Sequence, residues 1–455
     1  MPDTFLTLIC LTAFTIVLSI VIGYRRSRDP FHPMVYIGLM LLYFYCYMPI
    51  RLFTQDPQGL FRFLSINQLI FIQGLNLAGV LALAAGILAG SGNIRYVRQP
   101  GILPGLGVTA VRRIQTASIL IGLIGVSAYA YGLISIGGFG AAYGKGYGGG
   151  WSDSGWVREA IFLTIPALLW LMMSKANRKL SAGDLVLIGL FISPLMIQGL
   201  LGSRRGPTAM AVVVLLFGWM MIRRKRPALM AVVMGAALLG SLMIFLVVNR
   251  SNIYLGSDRQ LDYESVGSFG STAGEGNEYI YGGGAMVLAH KEDRYYWGKR
   301  YLTIFFVRPI PKEIWPDKYE ESSQMLGIPN IEKNLGVGTD EFEDVLGWPG
   351  ARGAAPGIIS DMWVEFSWYF VAPLFFIGYF YGRAWRHALA KGGRWIPNYV
   401  LMTSLSIYLI AQTFEAMAFR YLIAAAGSWI VWKYGMNGSA LGSIRPTATR
   451  SGEGY

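Results

Sequence analysis

The sequence is poor in charge, in cysteine and in histidine. Charged side chains make up 14% of its 455 residues, whereas soluble domains carry about 25%. Only two cysteines and three histidines are present. Cys10 and Cys46 both lie inside apolar runs, so we expect neither a disulfide framework nor a zinc site. This composition argues against a water-soluble enzyme and against a protein built around a structural metal.

The sequence also lacks patterns that would indicate binding of a nucleotide, a cation or a nucleic acid. The glycine-rich stretch 137–150 lacks the Gly-Lys-Ser/Thr ending of a P-loop. The acidic cluster Asp340, Glu341, Glu343 and Asp344 lacks the spacing of a calcium loop. The net charge is +13, but the basic residues stand in short clusters between apolar runs, which is typical of membrane topology signals. We therefore expect no cofactor, no bound metal and no nucleic-acid partner.

Long apolar runs dominate the chain, of which 54% is hydrophobic. A helix needs about 20 apolar residues to cross the hydrocarbon of a bilayer. On this criterion we predict an all-α polytopic membrane protein with about eleven transmembrane helices. The predicted spans are 5–23, 33–50, 67–90, 116–136, 157–174, 183–202, 208–222, 227–248, 362–382, 398–418 and 421–435.

The distribution of basic residues predicts the orientation. With the N-terminus outside, the inner segments together with Lys433 carry 21 lysines and arginines, whereas the short outer loops carry 7. This asymmetry follows the positive-inside rule and places the C-terminus in the cytoplasm. Arg25, Arg26 and Arg28 follow the first apolar run instead of preceding it, which is the reverse of a cleavable signal peptide. We therefore expect a retained first helix.

Four regions follow from this topology. We predict an eight-helix transmembrane region at 1–248, a large extracytoplasmic loop at 249–361, a three-helix transmembrane region at 362–435 and a cytoplasmic tail at 436–455. The loop carries 11 basic and 17 acidic residues and many aromatics, so it is not expected to be a disordered tether. Within it, the apolar stretch 301–310 is too short to span and favours an interfacial or re-entrant segment.

Two adjacent arginines, Arg204 and Arg205, stand in the short outer hairpin between the sixth and seventh helices. The planar fork of arginine suits phosphate and pyrophosphate. Snorkelling to lipid head groups would also explain the pair, but arginines outside run against the positive-inside trend. We interpret them as a candidate catalytic anion site.

A second basic stretch, FFVRPIPKEIWPDKY, is stiffened by prolines and follows an apolar run. Rigid basic groups beside a tryptophan would suit a sugar linked to a lipid pyrophosphate, although an interfacial anchor has the same composition. We take Arg308 as a candidate catalytic residue, and Lys312 and Trp315 as candidate substrate-binding residues.

Glu365 lies at the outer end of the ninth predicted helix, with Asp361 one turn earlier on the same face. A carboxylate at membrane depth is costly and usually has a functional partner or faces a polar cavity. Glu365 is therefore either a catalytic residue or half of a structural ion pair. Glu415 and Arg420 flank the outer turn between the last two helices, and Arg420 is a candidate for substrate binding.

Three further outward residues are candidates for substrate binding. Arg250 closes the eighth helix, and Glu278 and His290 lie in the large loop. His290 is the only histidine predicted outside, and histidine can act as a base near neutral pH. A loop histidine without a partner is more often simply solvated, and Arg250 would also mark a membrane boundary.

The layout and one region of the chain resemble a known family. The run RPIPKEIWPDK is followed by GARGAAPGIISDMWVEFSWYFVAPLFFIGYFYGR, in which a Pro-Gly turn precedes a carboxylate and a glycine-punctuated helix. Together with the helix number, the large late loop and the outer arginines, this resembles the oligosaccharide repeat-unit polymerases of the O-antigen polymerase (Wzy) type. The layout matches over most of the chain and the motif over 308–383, while His290 falls in no matched motif and no catalytic base aligns.

The resemblance implies a membrane glycosyltransferase with a fold like the lipid-sugar (GT-C) glycosyltransferases and metal-independent chemistry. It would polymerise undecaprenyl-pyrophosphate-linked oligosaccharides into O-antigen, capsule or exopolysaccharide at the outer face of the bacterial cytoplasmic membrane. A polysaccharide chain-length regulator would be its partner beside membrane lipid. The residues are compatible with this reaction, because Arg204, Arg205, Arg308 and Lys312 would stabilise the leaving pyrophosphate. Glu365, Glu278 and His290 are the outward candidates for the base.

Two other functions stay open on the sequence. An O-antigen ligase would move the finished glycan from the same lipid carrier with the same chemistry. A transporter or flippase of lipid-linked sugars would instead need charged residues along the middles of several helices, whereas the charges here gather near the helix ends.

Overall fold

The computed structural model describes residues 2–96, 106–146, 159–269, 278–308, 310, 314–328 and 355–437. These residues form helices and connecting turns, without a strand among them. Nine helical segments of the described chain are long and apolar enough to cross a membrane, one of them the broken segment Gly357–Ala390, and two shorter apolar helices accompany them. The prediction of an all-α multi-pass membrane protein is therefore confirmed.

The principal helices are numbered along the chain. They are α1 (Pro2–Ser27), α2 (Pro33–Gln55), α3 (Ile66–Ser91), α4 (Val108–Ser135), α5 (Ala160–Ser174), α6 (Ala182–Leu200), α7 (Arg205–Ile222), α8 (Leu229–Val248), α9 (Glu278–Lys291), α10 (Gly357–Phe366), α11 (Val371–Ala390), α12 (Trp395–Ala411) and α13 (Phe414–Met436). Short helices at Pro57–Phe63, Phe139–Tyr143, Glu264–Ser268, Lys299–Leu302, Thr303–Val307 and Lys318–Leu326 lie between them.

Each predicted span overlaps at least one of these helices. The tenth, 398–418, runs past the end of α12 at Ala411 into α13, so the prediction that Glu415 and Arg420 flank the outer turn is wrong, and both residues lie within α13. The ninth span differs in form. It begins at Gly357 instead of 362, and it consists of two helices, α10 and α11. The break lies at Ser367, whose φ of 49° is in the left-handed region, where a continuing α-helix is sterically disfavoured. Asp361 and Glu365 therefore belong to a short separate helix that precedes the long apolar helix α11.

Part of the segment predicted as an outer loop packs into the core of the helix bundle. Of the 14 residues of α9, 12 are buried, and α9 contacts α3 and α10. The Trp363 indole N–H donates to the Met286 carbonyl at 3.2 Å, and the Ser360 hydroxyl donates to the Gly282 carbonyl at 2.8 Å. The apolar side chains of α9 belong to the same core cluster as those of the long helices.

Glycines allow α3 and α11 to cross at short range. A Cβ at Gly86 or Gly90 would overlap the backbone carbonyl oxygens of Phe375 and Tyr379 in α11. Reciprocally, a Cβ at Gly378 would overlap a carbonyl oxygen in α3. Small residues four apart on both helices let the two backbones approach, as in many membrane helix pairs. This interface joins the early helices to those after the large segment.

A buried charge fixes the end of the bundle that is predicted to face the cytoplasm. Asp29 is fully buried, and its carboxylate accepts from Arg226 Nε at 2.7 Å and from the Trp385 indole at 3.0 Å. The Arg226 guanidinium stacks 4.9 Å from the ring of Phe31 and 4.3 Å from that of Tyr96. Four segments that are distant in the sequence are thereby held together, and the charge of each ionic partner is compensated.

Candidate functional site

Four arginines from three separate parts of the sequence line one cavity of about 300 Å³. Arg204 and Arg205 come from the turn between α6 and α7, Arg250 from the end of α8, and Arg420 from α13. All four were predicted on the outer side. The remaining polar residues of the lining are Glu159, Gln198, Ser203, Tyr408 and Gln412. The volume is at the lower end of the range of about 300–1,000 Å³ typical of small-ligand sites.

The turn between α6 and α7 points the start of α7 at this cavity. Ser203 adopts a left-handed φ of 49°, and the N–H of Arg204 returns to the Gly199 carbonyl at 2.8 Å. Helix α7 then begins at Arg205, and both Arg205 and Gly206 line the cavity. The first N–H groups of a helix have no intrahelical acceptor and carry partial positive charge. The backbone therefore adds to the attraction of the guanidiniums for an anion.

Arg420, which also lines the cavity, is held against aromatic rings. Its guanidinium lies 4.4 Å from the ring centre of Tyr408 and 5.5 Å from that of Phe162. One terminal nitrogen donates to the Ala416 carbonyl, whereas Nε is buried without an acceptor among the described residues. Stacking leaves the edge of an arginine available for a planar or tetrahedral oxyanion. A phosphate in the cavity would supply the acceptor that Nε lacks.

Arg205 also reaches a second, apolar space. A groove of about 670 Å³ lies between α2, α7 and α8 and shares Arg205 and Val247 with the polar cavity. Its lining is almost entirely aliphatic and aromatic, and its charged lining residues are Arg51, Arg205 and Glu278. Arg205 and Glu278 form an ion pair of 2.5 Å. The groove extends along α7, which at 18 residues is about 27 Å long.

Arg308 lies beside the cavity instead of in its lining. Its Nη2 is 3.7 Å from Glu159 Oε1, and its guanidinium is 5.6 Å from the ring of Phe419. The side chain is 44% exposed. Glu159, which joins Arg308 to the cavity, was missed at the level of sequence. It lies inside the predicted span 157–174, so the criterion that singled out Glu365 would also have found it.

Glu365 lies in a buried ionic cluster and not in the lining of the arginine cavity. One of its oxygens pairs with Arg300 Nε, and the other accepts from the Gly298 N–H at 2.7 Å. Asp361 accepts from Arg300 Nη2 at 2.7 Å and from the Tyr301 hydroxyl at 2.9 Å. The expected proximity of Asp361 and Glu365 is confirmed, and Arg300, which joins them, was not predicted. The geometry is that of the structural ion pair, the second of the two roles considered for Glu365.

The other candidates are dispersed. The exposed ring of His290 stacks on Phe71 at 4.8 Å. The Trp315 indole donates to Glu321 at 2.8 Å. Neither belongs to the cavity lining. Lys312 lies outside the described residues, as does the acidic cluster 340–344.

The described part of the chain contains no group of three or more histidine, cysteine, aspartate or glutamate residues arranged to hold a metal ion. Comparison with known proteins adds no family, since no protein-family model, no curated protein and no solved structure matches the chain.

Proposed function

We propose that this protein polymerises undecaprenyl-pyrophosphate-linked oligosaccharide repeat units at the outer face of the bacterial cytoplasmic membrane. The observation that carries the proposal is the convergence of Arg204, Arg205, Arg250 and Arg420 on one cavity. Each of these arginines was predicted on the outer side, where lipid-linked sugars are polymerised in the family that the sequence resembles. A glycosyl transfer from a lipid pyrophosphate releases a strongly anionic leaving group, and this cavity is strongly cationic.

The arginines would act by stabilising charge that develops as the glycosidic bond breaks. Fixed donors aimed at developing negative charge contribute most when they are held in place before the reaction. Here the stacking of Arg420 on Tyr408 and the turn at Ser203 provide that fixation. The start of α7 adds backbone donors on the same side.

The apolar groove supports a lipid-linked substrate in particular. We assign it to the polyisoprenoid chain of the carrier, because it shares the lining residues Arg205 and Val247 with the polar cavity. A pyrophosphate at the arginines would then have its hydrocarbon chain along α7, in contact with aliphatic and aromatic side chains. A free sugar nucleotide would have no use for such a groove, whereas an isoprenoid gains free energy from the burial of its apolar surface.

The test is reconstitution of the purified full chain with lipid-linked repeat units as the only substrate, followed by gel analysis of chain length. Wild-type protein should lengthen the chains with EDTA present and without nucleotide, since fixed guanidiniums supply the positive charge. Arg204→Ala and Arg420→Ala should each slow elongation by about 10²–10³-fold, or about 2.7–4 kcal/mol. Lysine should restore little if the contacts are bidentate.

Arg62→Ala is the matched control, because Arg62 is an exposed arginine outside the cavity lining and also predicted on the outer side. Normal elongation by the two cavity variants would refute the anion site. Transfer only to a different acceptor would indicate a ligase. Movement of intact substrate across the membrane without lengthening would indicate a flippase.

A further inference from the structure

Glu159 is the single carboxylate among the described residues that line the arginine cavity. Its side chain is 13% exposed, and it lies directly before the first turn of the 160–174 helix. Its ionic contact is to Arg308, at a distance of 3.7 Å, which exceeds the usual length of a charge-assisted hydrogen bond, about 2.7–2.9 Å. Among the described residues, the Glu159 carboxylate therefore lacks the hydrogen bonds to both oxygens that hold Glu365.

We propose that Glu159 is the general base of the transfer, an inference that rests on the function proposed above. The acceptor hydroxyl gives its proton to a Glu159 oxygen while its own oxygen forms a bond to C1 of the donor sugar. The bond between C1 and the pyrophosphate oxygen breaks, and its electron pair leaves with the lipid pyrophosphate. The arginines hold that anion, and the proton on Glu159 is later released to water.

The geometry favours Glu159 over the three bases considered from the sequence. Both oxygens of Glu365 are engaged, and its side chain is fully buried. Glu278 pairs with Arg205 and lines the apolar groove, not the polar cavity. His290 stacks on Phe71 outside the lining. A base must be within hydrogen-bond reach of the proton that it removes, and among these carboxylates and the imidazole only Glu159 shares the cavity with the arginines.

Arg308 is then a positioning residue. It is partly exposed and contacts Glu159 without itself lining the cavity, so it orients the carboxylate from outside the site. In this arrangement Arg308 does not bind the pyrophosphate directly, as was expected from the sequence, but acts through Glu159. The two roles differ in their kinetic signature, because a positioning residue alters the rate more than the affinity for the lipid-linked donor.

The experiment compares Glu159→Gln, Glu159→Ala and Glu159→Asp with a matched control, Glu292→Gln. Glu292 forms an exposed ion pair of 3.2 Å with Arg294 outside the cavity lining. Loss of a general base should slow elongation by about 10²–10⁴-fold, with the KM for the lipid-linked donor little changed. Added formate should restore part of the rate of Glu159→Ala, because a small carboxylate can occupy the vacated space. It should not restore Arg420→Ala.

The outcomes separate the two proposals. Normal elongation by Glu159→Gln, with Arg420→Ala inactive, would overturn the base and leave the polymerase proposal intact. A slow Glu159→Ala that formate cannot restore and whose donor KM is raised would also overturn it, in favour of a structural role. If the wild-type protein lengthens no chains, both the polymerase function and the role of Glu159 as general base are refuted. If Glu159→Ala fails to fold, the near-isosteric Glu159→Gln decides.

Discussion

Arg300, Asp361 and Glu365 form a buried ionic cluster. We predict that replacing its arginine lowers the stability of the protein more than replacing Glu365 does. Arg300 is 1% exposed and both carboxylates are fully buried. Burial lowers the pKa of Arg300, but the carboxylates of Glu365 and Asp361 more than reverse this effect and hold it well above its ordinary value. The guanidinium therefore stays charged and compensates two buried anions.

Arg300→Met removes that cation and leaves two buried carboxylates without its compensation. Breaking a buried ion pair in this way typically costs about 3–5 kcal/mol. Glu365→Gln is milder, because Arg300 keeps Asp361 and the amide oxygen can still accept the Gly298 N–H. Its expected cost is that of one weakened buried hydrogen bond, about 1–3 kcal/mol. Adding Glu365→Leu to Arg300→Met should recover stability, because one of the stranded charges is then removed.

The assay is the apparent melting temperature of purified protein in detergent, followed by tryptophan fluorescence at one fixed scan rate, with elongation activity measured per folded molecule. We expect Arg300→Met to melt well below Glu365→Gln, and Glu365→Gln to retain elongation. Wild-type stability in Arg300→Met would contradict the buried cluster. A Glu365→Gln protein that melts like wild type yet makes no chains would restore Glu365 as a catalytic residue.

Two further predictions address packing and topology. Gly86→Ala should lower the melting temperature, because the added Cβ overlaps a carbonyl oxygen of α11. Gly74→Ala in the same helix is the control and should leave the melting temperature unchanged, because its added Cβ meets open space. Equal melting temperatures of the two variants would contradict the close crossing of α3 and α11. In a Cys10→Ser background, a cysteine at the exposed position Asp258 should react with an impermeant thiol reagent in intact cells, and one at exposed Lys179 only after permeabilisation. The reverse labelling pattern would invert the predicted orientation.

The features that could be predicted from the sequence are those that depend on neighbouring residues along the chain. A long apolar run must be a helix in a bilayer, because hydrocarbon offers the backbone no hydrogen-bond partner. Basic residues between such runs predict which end of a helix faces outside. These two rules suffice to predict that Arg204, Arg205, Arg250 and Arg420 lie at one end of the bundle. That they share one cavity depends on the tertiary structure, since no local pattern in the sequence indicates which loops are neighbours.

The elements that it missed depend on contacts across the fold. Helix α9 has 14 residues, three of them consecutive glycines, so it lacks both the length and the apolar density of a span. It is buried because α3 and α10 cover it. Similarly, the spacing of Asp361 and Glu365 indicated a cationic partner, but several outer-side cations were available. Only the packing of the 299–302 turn against α10 selects Arg300.

Alanine substitutions at Arg205 and at Arg420 would test different properties of the cavity. Arg205 stands where the polar cavity meets the apolar groove, and it pairs with Glu278, whose second oxygen, Oε2, is buried without a partner among the described residues. Arg205→Ala would therefore remove a contact to substrate and also strand a buried carboxylate, and either effect alone would reduce elongation. Arg420 differs, because its contacts within the described part of the chain are to a carbonyl and to aromatic rings. A loss of rate in Arg420→Ala with unchanged melting temperature would thus report on the anion site itself.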